Sequence, residues 1–454
     1  MIRVPKASVL PSIVLSLCGV VACAPEPLIG EDVMPLDGAM HLQGTGQAQA
    51  FGRNDDAAVK PGNESHAGHA PDPYAGLEAA LRERWVHREV HEEEGVDVAT
   101  TVDLLRQEAE AARGRGERRS AVRRATCRLG DGQLQMDEAG GSLHSDSGLR
   151  VRAVGPAFLL EGTDGRYGKA LAAGDRIVEV DGAEVVPWAD TTCAGPGSTA
   201  AHRRARLAES LERGRAGRSA SRLRPETITV RQAKTGKVRS VTLSWKPEDD
   251  ATCVSGEAIT GDVGVITVRA LNCEPAAFDA QLTSAVRSAG SGHLLLDLRR
   301  VVGDDERNAQ VLARRFTPAA TVWASKRRGT QGGFSSVALP EAEPAVSASQ
   351  RWLLVSPRCD ASCELAAAVI ASDNLVTTVG TPTAGSAAET EPVAIGKGIT
   401  VQVPVVQYAL PGSSTLLEGR GITPDVAVTA TIDVLGRGHD PEVIAVARRI
   451  RGEG

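Results

Sequence analysis

From Val263 onward the chain alternates short apolar runs with helical-period segments, and this rhythm constrains the fold more than any bulk property does. Val265 to Ala270 reads as a strand. Ala276 to Ser288 follows as a helix, with Phe278, Leu282 and Val286 four residues apart on one face. His293-Leu-Leu-Leu-Asp-Leu-Arg299 is a buried strand, and Asp304 to Phe316 a second helix. Thr321 to Ala324 and Trp352 to Ser356 are strands separated by a long loop, Lys326 to Ser349, expected to be mobile and in a position to cover a groove. Ala361 to Ala371 is a helix and Leu375 to Val379 a strand. Alternation of this kind predicts a sheet joined by crossover helices.

At 454 residues the chain exceeds one ordinary core, so several domains are expected. Aromatic residues are only 3% of it, which leaves Val, Leu, Ile and Ala to build the interiors. A net charge of -6 argues against a nucleic-acid partner. The first residues combine basic Arg3 and Lys6 with an apolar stretch, Val9 to Val21, too short for a good membrane span. It runs into Val20-Val21-Ala22-Cys23, which resembles a bacterial lipobox, with Cys23 as the lipidated residue; cleavage of an ordinary signal peptide near Ala22 or Ala24 is the other reading. Either one predicts export, and the lipobox predicts a membrane-anchored lipoprotein of the cell envelope, periplasmic or on the cell surface.

Export places the remaining six cysteines in an oxidising compartment. The expected disulfides join neighbours in sequence: Cys127 with Cys193, Cys253 with Cys273, and Cys359 with Cys363. No histidine accompanies these cysteines at ligand spacing, so neither a metal nor another cofactor is expected. His66 and His69 lie in the stretch 24–73, read as a disordered tether and rich in Pro, Gly, Asp and Ala, where solvated histidines are the expectation.

Residues 74–125 form a helical segment by pattern. Leu77, Leu81 and Trp85 share one face, and a further helix runs from Thr100 or Thr101 to Ala112. The basic run Arg113 to Arg124 reads as a solvated helix face or a linker. Residues 126–247 hold short strands: Leu149 to Val154, Arg176 to Val180 between turns at Gly174-Asp175 and Asp181-Gly182, and a closing hairpin of Thr227 to Val230 and Val238 to Trp245. Asp190 to Leu223 reads as an insertion. The stretch Ala173-Gly-Asp-Arg-Ile-Val-Glu-Val-Asp-Gly182 resembles a PDZ domain. That resemblance implies a glycine-containing loop that offers backbone N–H groups to a peptide C-terminus, and it places Gly130 and Gly132 of Leu129-Gly-Asp-Gly-Gln-Leu134 in this role.

Residues 248–454 carry four motifs in one order. They are Leu294-Leu-Leu-Asp-Leu-Arg299, Trp352-Leu-Leu-Val-Ser-Pro357 leading into Ala361-Ser-Cys-Glu364, Val379-Gly-Thr-Pro-Thr-Ala-Gly-Ser386, and Gly419-Arg-Gly-Ile-Thr-Pro-Asp-Val426. This half resembles the catalytic domain of tail-specific (C-terminal processing) serine proteases. The implied architecture is an α/β multidomain chain, with a PDZ-like β-rich domain followed by a protease domain like ClpP and the crotonases. Carried over residue by residue, Glu364 matches the family's glutamate, the nucleophile falls on Ala361 and the general-base position on Ser386. The glycine loop that would serve the oxyanion reads Arg300-Val301-Val302-Gly303, so only Gly303 remains of it.

Alanine has no nucleophile, and branched valines do not readily adopt glycine conformations. The expectation is therefore a peptide-binding pseudoprotease whose partners are polypeptides or peptide C-termini. The alternative is an active serine endopeptidase with its nucleophile displaced to Ser362, which otherwise serves as a residue at a helix N-terminus. A third reading is a structural surface protein in which both domains are only scaffold.

Overall fold

The computed structural model describes residues 72–137, 143–192, 197–216, 224–247, 252–260, 262–290, 292–317, 322–339, 346, 348, 350–372, 376–396 and 398–453. The expected leader, Cys23, and His66 and His69 of the tether lie outside the described residues, as does Cys193. No helix among the described residues is long and apolar enough to cross a membrane.

Four helices open the described chain: α1 (Ala75–Glu83), α2 (Arg88–Glu93), α3 (Val98–Ala111) and α4 (Arg115–Arg128). Asp97 caps α3 by accepting the Thr100 N–H at 3.1 Å. Strand β1 (Gln135–Asp137) follows, then β2 (Leu143–Asp146), β3 (Leu149–Val154), β4 (Ala157–Thr163), β5 (Arg176–Val180), β6 (Ala183–Glu184), α5 (Val185–Thr192), α6 (Ala200–Glu212), β7 (Arg213–Ala216), β8 (Thr227–Arg231), β9 (Val238–Thr242) and β10 (Lys246–Pro247). The second half runs β11 (Val254–Thr260), β12 (Val263–Val268), α7 (Pro275–Ala289), β13 (His293–Asp297), α8 (Glu306–Phe316), β14 (Val322–Arg328), β15 (Ser335–Ala338), β16 (Gln350–Val355), α9 (Ala361–Ala371), β17 (Val376–Gly380), β18 (Ala388–Ala394), β19 (Thr400–Ala409), β20 (Val426–Ala427), α10 (Ile432–Gly436) and α11 (Pro441–Ile450).

The βα rhythm builds a six-stranded sheet in the order β11-β12-β13-β16-β17-β20, parallel except for the β11–β12 pair. Period-2 alternation decides its two faces. Leu294, Leu296, Leu353 and Val355 enter one core with Phe278 and Leu282 of α7, Leu312 of α8 and Ile370 of α9. Leu295, Trp352 and Leu354 point the other way, against Val446 of α11. Gly256 and Gly264 allow α7 to lie on the strands. A Cβ at Gly264 would stand 1.9 Å from the Ala289 carbonyl oxygen.

A second sheet, β1-β19-β14-β15 with β18 also on β19, carries the N-terminal helices. Leu77, Leu81, Val102, Leu105 and Val122 share one core with Val401 and Val403 of β19. The segment 74–125 therefore packs as part of the protease-like half. Strand β1 pairs with β19, so the boundary expected at 126 falls inside this shared layer. The basic run also departs from the expected solvated face, because α4 buries Ala121, Val122, Ala125 and Cys127 along with Arg119 and Arg123. Part of the expected loop 326–349 is a hairpin instead. Strand β15 pairs antiparallel with β14 across a turn where Gly329 and Gly332 have positive φ.

The third unit is an antiparallel sheet, β3-β4-β5-β8-β9, with β6 on β5 and with α5 and α6 against it. The expected insertion 190–223 contains α6, whose Leu207, Ala208 and Leu211 belong to this unit's core. Five arginines in the helix and next to it hid its apolar face from pattern reading. Cys253–Cys273 and Cys359–Cys363 are disulfides as expected, and Cys127 is disulfide-bonded.

Truncating Leu81, which is fully buried in the core shared by the helices and β19, is expected to cost about 2–5 kcal/mol. Denaturant unfolding followed through the whole protein should show one transition at a lower midpoint if these helices fold with the sheet.

Candidate functional site

The site is built around the start of α9. Ala361 has φ +49, a left-handed conformation that an L-residue adopts only when its surroundings hold it there. Two contacts do so. The Ala361 N–H donates to the Ser386 carbonyl at 2.7 Å, and the Ser362 N–H donates to Asp304 Oδ1 at 2.9 Å. The free N–H groups at the helix start thus meet a carbonyl and a carboxylate.

Glu364, one turn in, is fully buried. Its carboxyl accepts the Gly385 N–H at 2.8 Å, the Ser386 N–H at 2.7 Å and the Thr383 hydroxyl. Burial pushes its pKa up to about 8, against the pull of these donors. Thr383 in turn accepts the Ile422 N–H at 2.7 Å. Gly421 lies so close that a Cβ there would stand 2.6 Å from the Thr383 carbonyl oxygen, and its φ is +68. In this way Glu364 ties the Thr-Ala-Gly-Ser loop and the Gly-Arg-Gly-Ile loop to α9.

Ser386 is fully buried, and its hydroxyl accepts from Gln133 Nε2 at 3.2 Å. Its partners make it a packing residue. Ser362 is buried, and its N–H pairs with Asp304. Burial raises the Asp304 pKa to about 6. Gly303 has φ +79 and packs on the Asn272 side chain. Before it, Val302 is held by two backbone bonds: its N–H donates to the Arg269 carbonyl at 3.0 Å and its carbonyl accepts from Leu271 at 2.8 Å. Arg300 reaches the antiparallel unit, pairing with Glu212 at 2.5 Å and with Glu161.

Gly130 and Gly132 lie far from the peptide-binding position expected of them. Their loop joins α4 to β1 and lies inside the protease-like half. It does not border the antiparallel sheet in the way a carboxylate-binding loop would. The Gly132 N–H donates to Ser198 Oγ at 3.0 Å, and a Cβ at Gly132 would meet Ser386 Oγ at 2.6 Å and His202 at 2.9 Å. Asp131 is buried and faces histidine. The loop before β3 is the one adjoining that sheet, and its amides are already used. The Gly148 N–H donates to Asp146 at 2.8 Å, the Leu149 N–H to Ser147 Oγ at 3.2 Å and the Val151 N–H to Glu212 at 2.5 Å.

Several polar residues beside the site escaped the sequence reading. His202 of α6 is fully buried, with Nε2 3.5 Å from Asp360 and its pKa lowered by burial. His87 Nδ1 lies 2.9 Å from Asp131 and 3.4 Å from Glu418, and His91 Nε2 lies 3.2 Å from Glu418. The sequence signals were present: His87 and His91 are four residues apart, and Glu418 directly precedes the Gly419-Arg-Gly motif.

Residues 262–428 match the family model described as Peptidase family S41. That stretch contains all four motifs, and it is this part of the chain that is of the S41 type. The crystal structure of mature CPAF is similar in fold, at 13% identity and a TM-score of 0.60, over 83% of this chain and 97% of that one. The structure of mature CPAF complexed with lactacystin matches at 13% identity and TM-score 0.59, over the same shares of the two chains. At this identity the likeness speaks for the fold alone. No curated protein matches the chain. The four S41-like motifs therefore converge in space on a turn that keeps its strained backbone and carries a methyl group at its apex.

Two outcomes follow from this geometry. Gly421→Ala should lower unfolding free energy by about 2 kcal/mol or more, because the new Cβ meets backbone and the φ is left-handed. The second concerns pH. A carboxyl with a raised folded pKa favours the folded state while protonated, so the Glu364 contribution is full below its ordinary 4.5 and is lost as pH rises towards about 8. At His91 burial lowers the pKa, but Glu418 and Glu94 outweigh it and raise it to about 10, so that contribution is lost from 6.5 upward. Glu161 and Glu209 work in the opposite sense: burial raises their pKa, neighbouring arginines overcome it and hold both at about 2, and their contribution is lost as pH falls below 4.5. The thermal midpoint should peak near about pH 5 and fall by pH 9, measured by calorimetry across pH.

Proposed function

We propose that this chain is an exported, lipid-anchored, peptide-binding member of the S41 peptidase family that does not hydrolyse its ligand. The observation that carries the reading is Ala361. It occupies the strained turn at the start of α9, with φ +49 and with its N–H held by Ser386, and it offers no hydroxyl to attack a carbonyl. The Arg300-Val301-Val302 segment supports the same conclusion, since the Val302 N–H that an oxyanion would need already binds Arg269.

The second reading, a peptidase acting through Ser362, draws on the carboxylate beside that residue, Asp304. It is the weaker one. Asp304 accepts the Ser362 N–H, so the pair reads as a cap on the helix start.

A PDZ-like reading of the antiparallel unit is supported by the open edge of β3, with α6 running beside it. A cavity of about 300 Å³ lies there, lined by Val151, Ala153, Ala205 and Ala208 and by Ser356 and Pro357 of the peptidase half. Small alanines on the helix side leave room for an extended segment to add to the strand edge. The amides before β3 and at Val151 are already satisfied, so the groove is suited to internal extended segments more than to a free C-terminal carboxylate.

Cell-envelope anchoring rests on the motif ending at Cys23 and agrees with the disulfides.

The wild-type protein and Ser362→Ala should both resist labelling by a fluorophosphonate and leave an unfolded protein substrate intact. Labelling that disappears in Ser362→Ala would establish the displaced nucleophile instead. In fluorescence anisotropy, extended peptides should bind with affinities that change less than about threefold on C-terminal amidation, and Ala208→Trp should abolish the binding by filling the groove. If no peptide from a diverse pool binds, the scaffold reading stands.

A further inference from the structure

The hydrophobic layer between the N-terminal helices and β19 encloses a group of ionisable side chains that the peptide-binding reading does not use. His87, His91, Asp131 and Glu418 are each buried, with relative exposures of 0%, 0%, 0% and 5%. They come from three separate stretches: the start of α2, the α4–β1 loop and the turn before Gly419. The stretch leading into α2 is fixed on β19, where the Val86 N–H donates to the Pro404 carbonyl and Gln407 Nε2 donates to the Val86 carbonyl.

The spacing of the donor atoms is what a small divalent cation requires. His87 Nδ1, an Asp131 oxygen and a Glu418 oxygen lie within 4.8 Å of one another. The closest pairs are 2.9 Å (His87 to Asp131) and 3.4 Å (His87 to Glu418). The other Glu418 oxygen is 3.2 Å from His91 Nε2. Tetrahedral zinc with bonds of about 2.0–2.2 Å places its ligand atoms about 3.3–3.6 Å apart. These three short spacings fall within a few tenths of an ångström of that shell; the His87–Asp131–Glu418 set as a whole lies within 4.8 Å, and His91 joins it through Glu418. Two histidines four residues apart on a helix start are also a familiar donor pair.

A second, independent observation points to a missing partner. Glu418 Oε2 is buried with no hydrogen bond, although it is aimed at His87 Nδ1. Unsatisfied buried carboxylate oxygens are costly. The surrounding groups meanwhile have the arrangement of an outer shell. Trp85 Nε1 donates to Asp131 at 2.7 Å, the Gln133 N–H donates to the other Asp131 oxygen at 2.8 Å, and the Glu94 carboxylate lies 3.5 Å from His91 Nδ1, on the far side of the ring from Glu418. Carboxylates and donors placed in this way fix the orientation of metal ligands. Charge agrees as well: a bound divalent cation displaces the imidazole protons, and the two carboxylates then balance it.

We propose that His87, His91, Asp131 and Glu418 form a closed, structural divalent-cation site of zinc type that clips the N-terminal helices to the S41 core. The proposal is independent of the peptide-binding reading. It also departs from the expectation of no metal, because the ligands are histidines and carboxylates rather than the cysteines on which that expectation rested.

The test uses the whole protein, stripped by chelation and titrated with Co²⁺ and Zn²⁺. The expected result is one equivalent per chain with the visible absorption of tetrahedral cobalt, and a thermal midpoint that rises with added Zn²⁺. Glu418→Gln and, separately, His91→Gln should weaken binding at least about tenfold and remove the thermal shift. A His66→Ala/His69→Ala protein should behave as wild type, which separates this site from the tether. Using two single variants keeps the test decisive if one of them fails to fold. Absence of a tetrahedral cobalt spectrum in the wild type, or equal binding in a folded variant of either ligand, would overturn the proposal and leave a protonated ion-pair cluster.

Discussion

The buried carboxyl of Glu364 is the contact on which the geometry of the site depends. It accepts from Thr383, Gly385 and Ser386, and through them it fixes the carbonyl that receives the Ala361 N–H. A charged or protonated acid in an apolar interior is tolerated only when its oxygens are satisfied, and here three donors do so. The same loop meets the Gly-Arg-Gly-Ile turn through Thr383 and Gly421, so three stretches of chain far apart in sequence close on one side chain. The strained φ at Ala361 is held by this closure and serves no chemistry of the alanine itself.

A second constraint joins the two halves. Arg300 bridges Glu161 of β4 and Glu212 of α6. Arg358 adds to Glu212 at 2.6 Å, Arg299 pairs with Asp440 and Glu442, and Arg152 reaches Glu442. Buried pairs of this kind contribute little net stability, but removing one partner strands the other, so they specify one arrangement of the units. The loop after β13 thus acts as a joint between the two units. Glu212 also satisfies the Val151 N–H, which links the joint to the edge of the cavity beside β3.

Much of the framework was legible from residue pattern. Strand β3 at 149–154, strand β5 at 176–180 and helix α9 at 361–371 fall where alternation and helical period put them. The S41-like motifs were read in order, and their convergence on α9 follows. Helix α6 was missed because Arg203, Arg204 and Arg206 mask the stripe formed by Ala205, Leu207, Ala208 and Leu211. Hairpin β14–β15 was missed because its strands are polar, with Ser335 and Ser336 paired to Lys326 and Ser325. The Gly130–Gly132 loop was given the wrong neighbours, since a short glycine loop looks the same wherever it docks.

By itself, the sequence determined most of the strand and helix alternation in the second half, the disulfide-permissive cysteines, and the absence of a hydroxyl at position 361, because these are properties of local pattern and residue identity. The tertiary structure alone decided which distant side chains meet. Glu364 with the 383–386 loop, Arg300 with Glu161 and Glu212, and the gathering of His87, His91, Asp131 and Glu418 all join residues tens to hundreds of positions apart. The physical reason is that such contacts are set by which apolar faces pack together, and packing brings polar groups into register that no local pattern links.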